Sequence, residues 1–400
     1  MGKIRVIPVR RRRNNLQLVH RLDLDASFMT SRSSTLRTVR SGPPDIASRL
    51  KARQELRIAL CVPIGGIAGI WGPSSLASAK LAVAELNQGS GIAGYPCTLT
   101  MINATDDDPD VESTLCELVE FGEVDALIGM HTSSVRQRVI SAVGGRIPFV
   151  YTPMYEGGEN TPGVFAIGET TEQQLRPAIE WISRSHRVKR WVFVANDYVW
   201  AHASNSLARR YVGESGGAVL AEHRRPFGTT DYSQIIDQVR SLRADAVLVS
   251  LIGQDQVEFN RAFGASDLSG SVLRLSCTVA ENELLGIGAE NTENLFVSSS
   301  YFAALNTDAN MSFKERYHGH FGDRAPTLNS FGESTYEGVH FLAALIECGA
   351  LGPLSRRRMS DGRLAYRSAR GAPCTADAKN SAPIYMARAD GHCFSVLARL

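Results

Sequence analysis

From Leu56 onward the chain alternates short runs of branched apolar residues with stretches whose apolar residues recur at helical spacing, and it does so in two successive series. Residues 57–63 read as a buried strand and 65–69 as a glycine-rich loop, while over 74–86 Leu76, Ala79, Ala82, Val83 and Leu86 mark one face of a helix. Strands are expected at 98–103, 126–130, 149–152 and 164–167, with a helix over 111–121. The second series runs helix 172–185, strand 190–195, helix 204–215, strand 218–224, helix 232–242 and strand 246–251. Strands that alternate with helices form parallel sheets through right-handed crossovers, so the fold class is α/β with two similar lobes. The tail differs: 356–362 reads as a loop, and 382–388 with 393–398 form a hairpin around Asp390 and Gly391.

Composition narrows the function class. With 400 residues, 44% apolar and 21% charged, the chain has the balance of a globular protein with more than one core. No apolar run reaches the eighteen or so residues that a membrane span needs. No apolar leader core is visible in the first thirty residues, so a cytoplasmic location is expected. Seven scattered cysteines, none in a C-x-x-C pair, argue against a disulfide framework or a zinc site. The formal net charge of +2 hides a split: residues 1–53 hold thirteen Lys/Arg against three acids, whereas the remainder carries a net −8. The first 55 residues therefore read as a basic, disordered arm. Contact with nucleic acid through Arg10–Arg13, or a start codon placed too far upstream, are the competing readings.

Catalytic signatures fail on context. Gly213-Glu-Ser215-Gly-Gly217 matches a nucleophile elbow in letters, but it follows a helix and precedes a strand, the reverse of what an elbow needs. The glycines at 65–72 lack phosphate-loop spacing. Asp106–Asp110 lacks the glycine and distal glutamate of a calcium loop and reads as a helix start, and His318 and His320 read as surface residues. No catalytic residue, metal or cofactor is expected. What remains is aromatic. Tyr151, Tyr155, Tyr198, Trp200, Tyr301 and Phe302 fall at or just beyond strand ends in both series. His131, Thr132, Ser133 and Ser134 form a strand-to-helix turn that can hold a small polar group. No Arg or Lys fork for a strongly anionic ligand is evident.

These residues carry a resemblance. The string Tyr155-Glu-Gly, Thr161-Pro162, Gly168, Gln173-Gln174 and Asn196-Asp-Tyr198, with Ala84–Asn87 and Gly91–Gly94 upstream, resembles the type I periplasmic-binding-fold proteins of the amide-sensor (amidase-operon regulator) and urea-receptor branch. The resemblance covers about Leu56 to Gly349. It implies two Rossmann-like lobes with parallel central sheets, joined by three crossovers and closing on ligand about a hinge. The first lobe is expected over 56–172 plus about 303–350, and the second over 173–302 plus about 351–400. It also implies a ligand site built from His131, Thr132, Ser133, Tyr151, Thr152, Pro153, Tyr155, Tyr198, Trp200 and Tyr301. His131 and Trp200 stand where the branch has tyrosines, and Ala201-His202 where it often has Pro-Arg.

The function expected is a cytoplasmic sensor of a short, neutral, amide-like ligand. It would act on an amide- or nitrile-utilisation operon through an antiterminator-like protein partner, as a homo-oligomer. The first alternative is the substrate-binding receptor of an ABC importer, with a permease as partner, for amides, urea or branched-chain amino acids. The second is a DNA-binding repressor that uses residues 1–53.

Overall fold

The computed structural model describes residues 46–349, 365–371, 373–375 and 382–400. Two sheets organise the chain. The first, of five parallel strands in the order β2-β1-β3-β4-β5, is built from β1 (Leu56–Val62), β2 (Cys97–Asn103), β3 (Ala126–Gly129), β4 (Phe149–Tyr151) and β5 (Val164–Ala166). Helices α2 (Gly72–Gln88), α3 (Val111–Glu120) and α4 (Ser133–Val143) connect its strands. The second sheet has the order β14-β13-β10-β9-β8-β6-β7. Its parallel part comprises β6 (Arg190–Asn196), β7 (Ala218–Arg225), β8 (Ala246–Ser250), β9 (Leu273–Ser276) and β10 (Leu295–Ser299). Around it lie α5 (Thr171–Ser185), α6 (Val199–Glu214), α7 (Ser233–Ser241), α8 (Gly253–Gly264) and α9 (Glu281–Ile287). Helices α10 (Asp308–Phe321) and α11 (Ser330–Glu347) follow β10 and return to the first lobe, where α11 lies along α2.

The central strands are buried on both faces, as parallel strands under two helical layers must be. In β1, Leu56, Ile58, Leu60 and Val62 point into the core shared with α2 and α11, while Ala59 and Cys61 face α3 and α4. Gly332 allows the close approach of α11 to α2, since a Cβ there would fall 2.0 Å from Ser74 Oγ. The two lobes repeat one device at their bases. The Asp125 carboxylate accepts from Arg57 N–H and returns its own N–H to Arg57 O; Asp245 does the same with Arg190.

The hairpin expected in the tail adds two antiparallel strands to the parallel part of the second sheet. β13 (Tyr385–Asp390) pairs antiparallel with β10, and β14 (Cys393–Arg399) extends it, because a tight hairpin can only join antiparallel strands. A two-stranded ribbon, β11 (Ala365–Arg367) and β12 (Pro373–Thr375), precedes it. Residues 46–53 of the expected disordered arm form a helix, α1 (Ile46–Arg53), which buries Leu50 and brings Arg49 and Arg53 within 3.6 and 3.7 Å of Asp125. The rest of that arm, with Arg10–Arg13, and the loop expected at 356–362 lie outside the described residues. No helix among the described residues is long and apolar enough to cross a membrane. Gly216 at φ +72° and the Gly217 N–H on Val212 O close α6, so the Gly213–Gly217 string is a helix stop.

The chain passes between lobes after β5, after β10 and between α11 and β13. These passages are tied together: Arg370, on the third, pairs with Glu169 on the first and with Glu333 of α11 at 2.6 Å, all three side chains almost fully buried. The Ala369 N–H donates to Glu337 at 2.7 Å.

Candidate ligand-binding site

The C-terminal ends of both parallel sheets face one another, the position at which open α/β sheets bind ligands. The lobes meet through direct bonds. Gln254 N–H of α8 donates to Ile67 O at 3.0 Å, and Asn282 Nδ2 of α9 donates to Ile70 O at 2.7 Å. Trp71 Nε1–H donates to Glu283 at 2.6 Å, with the Trp71 ring stacked on Phe331, centroids 4.1 Å apart. Gly253 (φ +50°) is required at this contact, because a Cβ would come 2.0 Å from Ile67 O.

On the first lobe the site is centred on the start of α4. Thr132 caps the helix, its extended backbone placing Oγ1 near Val135 N–H. The hydroxyls of Thr132 and Ser134 donate to Asp106 at 2.5 and 2.7 Å, and Ser133 donates to Glu156 at 2.7 Å. Arg136, one turn further, donates to Glu156 at 2.5 Å and lies 3.4 Å from Glu159. Its guanidinium sits over the Tyr151 and Tyr155 rings at 5.0 and 5.3 Å. Two carboxylates, Glu156 and Glu159, thus flank the arginine, and the small hydroxyls are already spent on Asp106 and Glu156.

From the second lobe, Tyr198 reaches across. Its buried ring packs on Trp200 (6.1 Å) and Phe227 (5.2 Å), and its hydroxyl lies in the field of Tyr151, Asp106 and Glu156 of the facing lobe. Burial, then those acidic neighbours, raise its pKa well above the usual tyrosine value, so it stays a neutral donor. Asn196 fixes this turn, donating to Asp255 at 2.6 Å and accepting from Ile252 N–H at 2.9 Å.

The structure brings Thr132, Ser133, Tyr151, Tyr155, Tyr198 and Trp200 to one place and sets the others apart. His131 lies behind the turn between Phe149 and Tyr151, and burial pushes its imidazole down to about 4, so it is neutral. The Tyr151 hydroxyl donates to His131 O at 2.7 Å, which makes that ring a wall held from behind. Thr152 packs under α11 against Gly338, and Pro153 is buried beside Gly168. Tyr301 sits at the second crossover, donating to Asn310 at 2.7 Å. Trp200 belongs to the first turn of α6, which begins five residues before the expected start because the consecutive apolar residues Tyr198–Ala201 show no helical period of their own. Sequence reasoning missed Arg136, Glu156 and Asp106. Arg136 had a signal, since it shares a helix face with Thr132; Asp106 had only its place in an acidic run.

Comparison with known proteins follows the same lines. A family model described as periplasmic binding protein matches residues 55–392. A curated relative, Leu/Ile/Val-binding protein homolog 6 of Brucella melitensis, is 25% identical over 191 residues, 47% of this chain and 48% of the relative. The match therefore spans about half the length of that relative. Among solved structures, a periplasmic binding protein from Burkholderia mallei superposes with TM-score 0.75 at 18% identity, covering 87% of this chain and 95% of that one. The branched-chain amino acid transporter substrate binding protein LivJ of Streptococcus pneumoniae, in complex with isoleucine, gives 0.75 at 17% identity over 86% and 98%. An ABC transporter solute binding protein of R. palustris in complex with benzoate gives 0.72 at 17% over 86% and 96%. At these identities the likeness of structures shows the fold alone, and the amide-sensor branch is not singled out by any of them. The matched family model over 55–392, the two wound lobes and their three crossovers lead to one conclusion: the chain belongs to the periplasmic binding protein family.

Proposed function

We propose that this protein is the solute receptor of an ABC importer, and that its solute presents a hydrogen-bond-donating head, an aliphatic amino acid first and a carboxamide second. The observation that carries the head-group assignment is the spent state of the α4 turn. Thr132, Ser133 and Ser134 already donate to Asp106 and Glu156, so the side chains there offer a ligand carboxylate oxygens rather than donors. An ammonium or amide N–H completes those acceptors, while the N–H groups of the first turn of α4 and the Tyr198 hydroxyl remain for a carboxylate or carbonyl oxygen. Trp200 and Phe227 supply apolar wall for a short side chain. The importer role draws on the amino-acid-binding relative and the transporter-associated neighbours. The cytoplasmic amide sensor remains a second reading, because the same acceptors serve a carboxamide.

The test is a melting-temperature screen with L-leucine, L-isoleucine, propionamide, urea and benzoate. A ligand at a hundredfold excess over its Kd stabilises by about 2.7 kcal/mol, a clear shift. Leucine or isoleucine should raise the melting temperature and benzoate should not. Stabilisation by benzoate with no response to the amino acids or the amide would overturn the donor-head reading. Response to propionamide alone would favour the sensor.

A further inference from the structure

A cavity of about 480 Å3 opens at the base of the second lobe, at the strand ends opposite the cleft. Val188, Val239, Leu268 and Val272 give it an apolar floor, and Arg187, Arg190, Arg240 and Arg243 stand around it. Asp245 is the one carboxylate in the lining, and it is committed. It accepts the N–H groups of Lys189 and Arg190 at 3.0 and 2.8 Å and pairs with the Arg190 guanidinium at 2.7 Å. Arg240 is committed too, to Asp267 at 2.6 Å and to Asp237. Arg187 and Arg243 are exposed, and among the described residues their side chains make no hydrogen bond or ion pair.

Both free arginines hold left-handed backbone, φ +57° and +50°, a conformation that costs free energy for any residue with a Cβ. The first lobe is an internal control. Its turn at Gly122 makes the same bonds as the turn at Arg243: N–H to the carbonyl three back, and the next N–H to the carbonyl five back. There the left-handed position is glycine, and Glu55 and Glu123 neutralise Arg57. The fold therefore does not require arginine at this turn. Nor does the helix dipole, since Arg184 and Arg240 already supply a cation in the last turns of α5 and α7.

We propose that this cavity binds an amphipathic organic anion, its apolar body on the valine and leucine floor and its phosphate or carboxylate head between Arg187 and Arg243. The site is separate from the interlobe cleft and does not depend on what the cleft binds.

Calorimetric titration at low salt with hexyl phosphate, inorganic phosphate and hexanol tests it. Hexyl phosphate should bind the wild type and the other two much more weakly, because the site needs both head and body. The pair Arg187→Gly and Arg243→Gly should weaken hexyl phosphate by about two- to thirtyfold, as expected for losing two exposed charge contacts. These glycines relieve the left-handed backbone, so the variant keeps its fold and its affinity for whichever cleft ligand the melting screen selects. Arg187→Glu with Arg243→Glu should weaken binding further. Unchanged hexyl phosphate affinity in the glycine pair, equal binding of hexanol, or no binding to the wild type would each overturn the proposal.

Discussion

Replacing Trp71 by Phe removes one interlobe bond. An aromatic ring stays on Phe331, while the indole N–H that reaches Glu283 across the cleft is lost together with the packing of the indole's smaller ring. Glu283 is completely buried, and without the indole N–H it keeps only backbone donors, the Ala280 N–H at 3.0 Å and its own. A hydrogen bond to a charged or partly charged group contributes about 1.5–3 kcal/mol when its loss leaves the acceptor buried. That cost falls on the closed arrangement, because separating the lobes lets water reach the carboxylate. The closed population, and with it affinity for a ligand that binds between the lobes, should drop about ten- to 150-fold. Titration calorimetry with the solute chosen by the melting screen reads the affinity, and small-angle scattering of the ligand-free protein reads the lobe separation. Weakened binding with a larger radius of gyration supports the latch. If affinity is unchanged while the melting temperature falls by an amount matching the lost bond, Trp71 and Glu283 act as one rigid body and the reasoning fails.

Gly253→Ala places a Cβ against Ile67 O at a left-handed position, so closure should be blocked; expect at least a tenfold loss of affinity with circular dichroism unchanged. Arg136→Met strands Glu156 and Glu159 under Tyr155 and should destabilise by about 3–5 kcal/mol in urea unfolding; a loss under 1 kcal/mol would show that water satisfies them. Burial raises the Glu283 carboxyl from its ordinary value to about 7. A raised acid gives stability that is full below the unfolded value and lost as pH rises to the folded one. Glu283→Gln should therefore gain on the wild type by about 1–3 kcal/mol between pH 4.5 and 7, then level off, and a pH-independent difference would refute the shift.

Most of the fold was legible because strand and helix periods are local. The alternation from Leu56 to Leu251 gave element types that the structure repeats, with boundaries moved by a residue or two except at α6, and with α4 indicated only by its starting turn. The tail was harder: the hairpin is visible around Asp390 and Gly391, but its attachment to β10 is a long-range pairing with no local signature. In the site, Tyr198 and Ser133 could be found because strand ends announce themselves. His131, Thr152 and Tyr301 stood in equally suggestive places and serve as packing, since a side chain's direction depends on what the neighbouring helix leaves open.

By itself the sequence determined two wound α/β lobes and a polar, aromatic edge where they meet, through hydrophobic periodicity and the turn residues that end each strand. Tertiary structure alone decided the chemistry of that edge. Asp106 and Glu156 lie 28 and 23 residues from the serines that they engage, and folding brings them to the N-terminus of α4, turning a turn of hydroxyl donors into a set of acceptors. Likewise, Arg187 and Arg243 are distant in sequence and meet at one cavity only because β6 and β8 are neighbours in the sheet.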